Sequence, residues 1–383
     1  MSSDRKELSE AEFLARKAQT LQDTLEVVRA ANDRLSERIA AKPASAPDDA
    51  RPVINVLAMS GGGDWGAFGS GVLVGWGKIA DPAKRRPDFD MVTGVSTGSL
   101  LAPFAYIGTD EAVKTVDDFY RNPQQNWVQS RGLLFFLPSN PSFMVISNLE
   151  KAIHSAVNTS LVEAMAEQWR KGKLMLVSAT DVDLGRQHFW EMGQLADEAA
   201  RTGKPELVHN RLLASSAIPA AFPPVEIDGS LYVDGGVTAN VLLRLDPESP
   251  EGFLQTWKRN YPDRPLPRVR YWIIVNNQRS QTPATVQKSW SRVLGPSLST
   301  AIRSATFAEI RWLGAEAAYV NAVYNTDIEV RVLAIPDEWK PVVKGDFKKE
   351  NMESLSDLGR SMGENPDSWT LLVSPGSRNM QFK

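Results

Sequence analysis

Apolar and polar positions divide the chain into a long helical stretch, a polar break and an alternating region. From about Ser9 to Ala41 apolar residues recur at helical spacing with neither proline nor glycine, which predicts one long helix. Placing Ala11, Ala18, Leu25, Asn32 and Ile39 at heptad position a puts Leu14, Leu21, Val28 and Leu35 at d. Two readings of that seam stand. One is a short coiled coil that forms a homodimer through residues 9–41, with Asn32 setting register; the other is an amphipathic helix packed on its own domain. KPASAPDDARP, residues 42–52, is proline-rich and polar and reads as a linker.

From Val53 onward short apolar runs alternate with helical stretches. VINVLAM (53–59) precedes a helix after Gly66, and DMVTGV leads into a helix after Ser96. LMLVSAT (174–180), RYWIIVNN (270–277) and IEVRVLAI (328–335) supply further strands. This rhythm predicts an α/β sheet covered on both faces. The expected organisation is a helical extension over 1–41, a linker over 42–52 and one α/β domain over 53–383, whose part beyond 336 is polar and carries no motif.

Composition narrows the function classes. At 42% hydrophobic and 23% charged the chain can bury a core, and a formal charge of -3 gives no electrostatic reason to expect nucleic acid. There is no cysteine, so disulfides, thiolate metal sites and cysteine nucleophiles are out. The three histidines, His154, His188 and His209, form no spaced pair suited to zinc. The polar start lacks an apolar signal region, and no apolar run approaches the roughly 20 residues of a membrane-spanning helix. The expectation is a cytoplasmic or peripheral protein, exported only if a leader has been removed.

Three motifs carry chemistry. Gly94-Val95-Ser96-Thr97-Gly98 sits between an apolar strand and a helix, the context of a serine held out on a sharp turn. The helix N-terminus there favours developing negative charge. Ser60-Gly61-Gly62-Gly63-Asp64-Trp65-Gly66 also joins strand to helix. Its glycines can present backbone N–H groups to an oxyanion. Gly61, Gly63 and Gly66 equally fit GxGxxG with Asp81 and Asp88 downstream, so dinucleotide binding competes. Finally, Leu231-Tyr232-Val233-Asp234-Gly235-Gly236 delivers an aspartate into a glycine turn, which alone reads as an ordinary hairpin turn. Together the three supply nucleophile, oxyanion loop and carboxylate, the parts acyl transfer requires.

With these residues in view, the chain resembles the patatin-like phospholipase family from about Val53 to Val241. Four blocks match in order: GGGDWGAFGSGVL, GVSTGSL, ATDVDLG and ASSAIPAAFPPVEIDGSLYVDGG. The resemblance implies a central sheet packed between helices and a serine–aspartate pair without histidine, carried here by Ser96 and Asp234. It implies oxyanion donors at the Gly62 and Gly63 amides, with Gly61 and Gly66 shaping the loop and Gly94 and Gly98 the elbow. The expected function is a lipid acyl hydrolase of the phospholipase A or lysophospholipase kind, acting on a lipid or acyl ester through an acyl-enzyme. It needs no cofactor or metal and allows peripheral membrane contact. One departure stands out: the family's first block commonly has a basic residue before its last glycine, where this chain has Trp65. Neutral or singly acylated esters gain weight accordingly.

A soluble acyl esterase or thioesterase uses the same parts, a dinucleotide-binding protein uses only the GxGxxG match, and an inactive module would work through its coiled coil. Asp181 and Asp183 resemble a metal pair but read better as a turn before Gly185. The histidines read as packed or exposed residues and the eleven tryptophans as core and surface anchors. Leu133 to Pro138, LLFFLP, suits either a lid beside an acyl pocket or a buried core cap.

Overall fold

The structure is a computed structural model that describes residues 7–43, 51–124, 127–130, 142–243, 245, 247–280 and 283–374. The apolar segment Leu133–Pro138 and most of the expected linker, 44–50, lie outside the described residues.

The chain opens with α1 (Glu10–Ala40), capped by Ser9, whose hydroxyl accepts the Glu12 N–H while the Glu12 carboxylate accepts the Ser9 N–H. Then follow β1 (Val53–Met59), α2 (Gly66–Gly77), β2 (Met91–Val95), α3 (Thr97–Ile107) and α4 (Asp110–Arg121). A two-strand ribbon of β3 (Gln129–Ser130) and β4 (Met144–Val145) leads to α5 (Ser147–Ala156) and α6 (Thr159–Arg170). Next come β5 (Leu174–Asp181), β6 (Arg186–Glu191), α7 (Met192–Thr202), α8 (Glu206–Ser215), β7 (Val225–Ile227) and β8 (Ser230–Asp234). The chain continues with α9 (Phe253–Asn260), β9 (Arg268–Gln278), α10 (Trp290–Tyr324), β10 (Asp327–Ile335), α11 (Lys349–Glu364) and β11 (Thr370–Val373).

The strands form a nine-stranded sheet in the order β11-β10-β9-β1-β2-β5-β8-β7, with β6 pairing β5. Its centre, β10-β9-β1-β2-β5, is parallel, and β11, β8, β7 and β6 pair antiparallel. Alternate residues of β1 feed two cores, as a sheet covered on both faces requires. Leu57 and Met59 pack with Phe68 and Trp76 of α2 and Leu101 of α3, while Ile54, Val56 and Ala58 pack with Trp257 of α9 and Leu313 of α10. The expected α/β sandwich with a helical N-terminal extension is therefore the fold.

The two ends of α1 behave differently. Leu35 and Ile39 are buried against the second core, a gain of roughly 1.5–3 kcal/mol for each fully buried side chain. Arg38 and Lys42 ion-pair with the fully buried Asp90 just before β2. Asn32, expected to set register between two copies, donates to the Glu251 carbonyl at 2.6 Å. Leu14 and Leu21, by contrast, are 61% and 51% exposed. The C-terminal half of the helix is thus packed on its own domain.

The stretch beyond 336, which carried no motif, is built into the body. Helix α11 lies on α2 at backbone contact distance: a Cβ on Gly71 would come 2.1 Å from the Ser356 carbonyl oxygen, and one on Gly359 2.2 Å from that of Phe68. Only glycine permits that approach. The buried Asp117 of α4 accepts from Ser70 of α2 and from Ser356 and Arg360 of α11, tying the three helices together.

Candidate active site

Strand β5 acts as the ruler that assembles the site. Along one of its edges β2 pairs as far as Val95 opposite Ser178, and β8 takes over at the next residue, with Asp234 opposite Ala179. Strand β6 occupies the other edge. The residue after Val95 is Ser96, so two segments 138 positions apart in sequence meet where one partner strand ends and the other begins.

Ser96 has φ 54° and ψ -125°, a strained backbone for a non-glycine residue and the geometry of a serine held on a sharp strand-to-helix turn. Gly94 and Gly98 make the turn: a Cβ on Gly98 would meet the Met59 carbonyl oxygen at 2.1 Å. The Ser96 N–H donates to the Ser215 hydroxyl, which in turn donates to the Ser178 carbonyl, holding the elbow to β5. The Ser96 hydroxyl donates to Asp234 Oδ2 at 2.5 Å.

Asp234 is buried. Its other oxygen accepts the Gly236 N–H at 2.8 Å, and its carbonyl accepts from Thr180. Burial pushes its carboxyl up to about 6, while the hydrogen bonds from Ser96 and Gly236 pull the other way. It is therefore a better base than an exposed aspartate and still ionised at neutral pH.

The glycine loop faces the pair. A Cβ on Gly61 would lie 2.9 Å from the Ser96 Cβ, and one on Gly66 would strike the Thr97 hydroxyl. The Gly61 amide is engaged by Asn240 Oδ1 at 3.0 Å, whereas Gly63, at φ 61°, borders the same cavity as Ser96. Asn240 is a residue that sequence reasoning missed. Its amide also reaches Thr306 of α10, and its backbone N–H reaches Glu309, so it braces the loop against the long helix. The only signal was an asparagine five residues past Gly235, in a segment otherwise read as a turn. Asn276 fixes the loop's base by accepting the Gly69 N–H and donating to the Ser60 carbonyl.

The cavity at Ser96 has an apolar lining that includes Leu100, Phe119, Trp127, Ile153, Ile218, Phe222, Phe347 and Met352. Leu100, Phe119 and Ile153 also line a small adjoining crevice bordered by Phe104, Ala156 and Val157. Such a lining accepts a hydrocarbon chain.

The remaining candidates fall elsewhere. His154 stacks on His209, whose Nε2 lies 2.7 Å from the Val157 carbonyl oxygen. His188 packs against Trp190 and Tyr232, and burial pushes it down to about 4. Asp181 accepts the Asp183 and Leu184 N–H groups, an Asx turn. In open α/β sheets ligands sit beyond the carboxyl ends of strands. Asp81 and Asp88 instead precede the amino end of β2, Asp88 pairing with Arg38 and Lys173, so the geometry a dinucleotide needs is missing.

Residues 57–245 match the family model of the patatin-like phospholipases. This segment belongs to that family. The match supports a place for this segment in the lipid acyl hydrolase family, and the fold is the sheet packed between helices described above. Among solved structures, VipD from Legionella pneumophila is similar over 83% of this chain and 67% of its own, with a TM-score of 0.39 and 13% identity. No curated protein matches the sequence.

Proposed function

We propose that the protein is a serine-dependent carboxylic ester hydrolase that cleaves a fatty acyl ester through an acyl-enzyme on Ser96, with Asp234 as its base. The observation that carries this reading is the 2.5 Å hydrogen bond from the Ser96 hydroxyl to a buried carboxylate, at the head of an apolar cavity. Asp234 takes the Ser96 proton as the oxygen attacks the ester carbonyl. The oxyanion is held by the Gly62 and Gly63 amides and the positive ends of α2 and α3. The carbon–oxygen bond to the alcohol breaks, and Asp234 returns the proton to that leaving oxygen. A water deprotonated by the same carboxylate then releases the fatty acid and restores Ser96.

Trp65 favours neutral or singly acylated substrates within this reading. Where the family commonly has a basic residue, its ring packs edge-on against Trp339 at 5.2 Å, so loop binding does not depend on a cation at that position. A lipid substrate brings with it peripheral contact with a lipid surface. The test is hydrolysis of a panel of lysophospholipids, diacyl phospholipids, monoglycerides and soluble acyl esters by wild type beside Ser96→Ala. Release of fatty acid by wild type and not by the variant is expected; equal release by both overturns the reading.

A further inference from the structure

The loop between β10 and α11, residues 336–348, lies beyond the family match yet reaches the active site. It is fastened at several points. Gln278 donates to the Pro336 and Trp339 carbonyls, the Trp339 indole donates to Ser354, and the buried Asn351 side chain bonds both the N–H and the carbonyl of Val343. The two fastenings nearest the chemistry come from the glycine loop itself. Trp65 stacks edge-on with Trp339, and Asp64 Oδ2 accepts the Phe347 N–H at 2.8 Å.

Phe347 is held in an unusual state. It has φ 54°, a left-handed backbone that a bulky side chain adopts only under strain. Its ring is half-buried between two exposed neighbours and lines the Ser96 cavity beside Gly63 and Met352. A strained residue turned inward by a buried carboxylate is the arrangement of a clamp on a ligand. Asp64 is 7% exposed, and burial pushes its carboxyl up to about 7 against the pull of the Phe347 N–H, so the site tolerates a buried acid to keep this bond.

We propose that Phe347 is a specificity-determining residue that limits the size of the acyl group beside Ser96, and that Asp64 is the positioning residue that holds it there. The inference rests on the acyl-hydrolase reading of the same cavity. Removing the ring opens the wall next to the reacting ester, and enlarging it narrows the same wall. The glycine loop and the C-terminal strap then form one unit, and Asp64 and Trp65 are the two loop residues that grip it.

The experiment measures kcat/KM across p-nitrophenyl esters of increasing acyl length for full-length wild type, Phe347→Ala, Phe347→Trp, Asp64→Ala and Asp64→Asn. Phe347→Ala is expected to raise the long-to-short ratio by at least about tenfold, the scale of discrimination a few methylenes supply in an apolar pocket. Phe347→Trp is expected to lower it. Asp64→Ala should shift the ratio in the same direction as Phe347→Ala, and Asp64→Asn, which keeps an oxygen for the Phe347 N–H, should restore the wild-type profile. A purely structural role lowers every substrate together and leaves the ratio flat, which overturns the proposal. Loss of the nucleophile reading shows separately, as hydrolysis that survives Ser96→Ala.

Discussion

Two regions wall the same cavity, and they were unequally visible. Residues 57–245 carry every motif, match the family model and supply Ser96, Asp234 and the glycine loop. Residues 336–364 carry none, yet they contribute Phe347 and Met352 to the cavity and lay α11 on α2 without intervening side chains. Chemistry demands particular atoms at particular positions and leaves a residue signature. A pocket wall demands only shape, which many sequences supply.

Removing the nucleophile while leaving the wall intact should have the largest effect. Ser96→Ala should lower kcat by several orders of magnitude, on the order of a millionfold where another serine hydrolase loses its nucleophile. Denaturant midpoints should stay near wild type, and a serine-directed fluorophosphonate should label only the wild-type protein.

Asp234→Asn comes next, with a loss of comparable order and a further signature in pH. The folded carboxyl sits at about 6 and must be ionised to accept the serine proton. Wild-type kcat/KM should therefore rise with pH through about 6 and level off above it. A flat profile between pH 5 and 7 would remove Asp234 as the base. Replacing His154, His188 and His209 together should leave that rising limb in place.

Breaking the wall should cost stability before chemistry. Gly359→Leu forces a side chain where even a Cβ lies 2.2 Å from the Phe68 carbonyl oxygen. Unfolding in urea should show a loss of about 1–3 kcal/mol or more. The matched control is Gly295→Ala on α10, where an added Cβ meets nothing within 4 Å and helix propensity predicts a gain of up to about 1 kcal/mol. Equal midpoints for the two variants would mean that α11 does not hold the fold.

The smallest effect on catalysis is expected at α1. The exposed Leu14 and Leu21 carry the proposal that two copies pair through the N-terminal half of this helix. Leu14→Glu with Leu21→Glu should convert a dimer to a monomer in equilibrium sedimentation, with hydrolysis of soluble short-chain esters unchanged. A wild-type monomer at micromolar concentration sinks that proposal.

The heptad reading of α1 shows where sequence periodicity stops. Both halves share one a/d pattern, but Leu35 and Ile39 meet the second core while Leu14 and Leu21 face solvent. Periodicity states which face is apolar and is silent on what covers it. Asn32 is the clearest instance: the same amide could have bonded its copy in a coiled coil, and it bonds the Glu251 carbonyl.

The sequence alone determined the α/β rhythm, the serine elbow, the glycine loop and the aspartate turn, because each depends on local backbone geometry that few residue types satisfy. Tertiary structure alone decided that Asp234 follows on from β2 along the edge of β5, that Asn240 holds the Gly61 amide, and that Phe347 reaches the cavity from more than a hundred residues further on. Those are pairings between distant segments. They are selected by which edges and faces remain to be covered once the sheet has formed, and no local pattern records that choice.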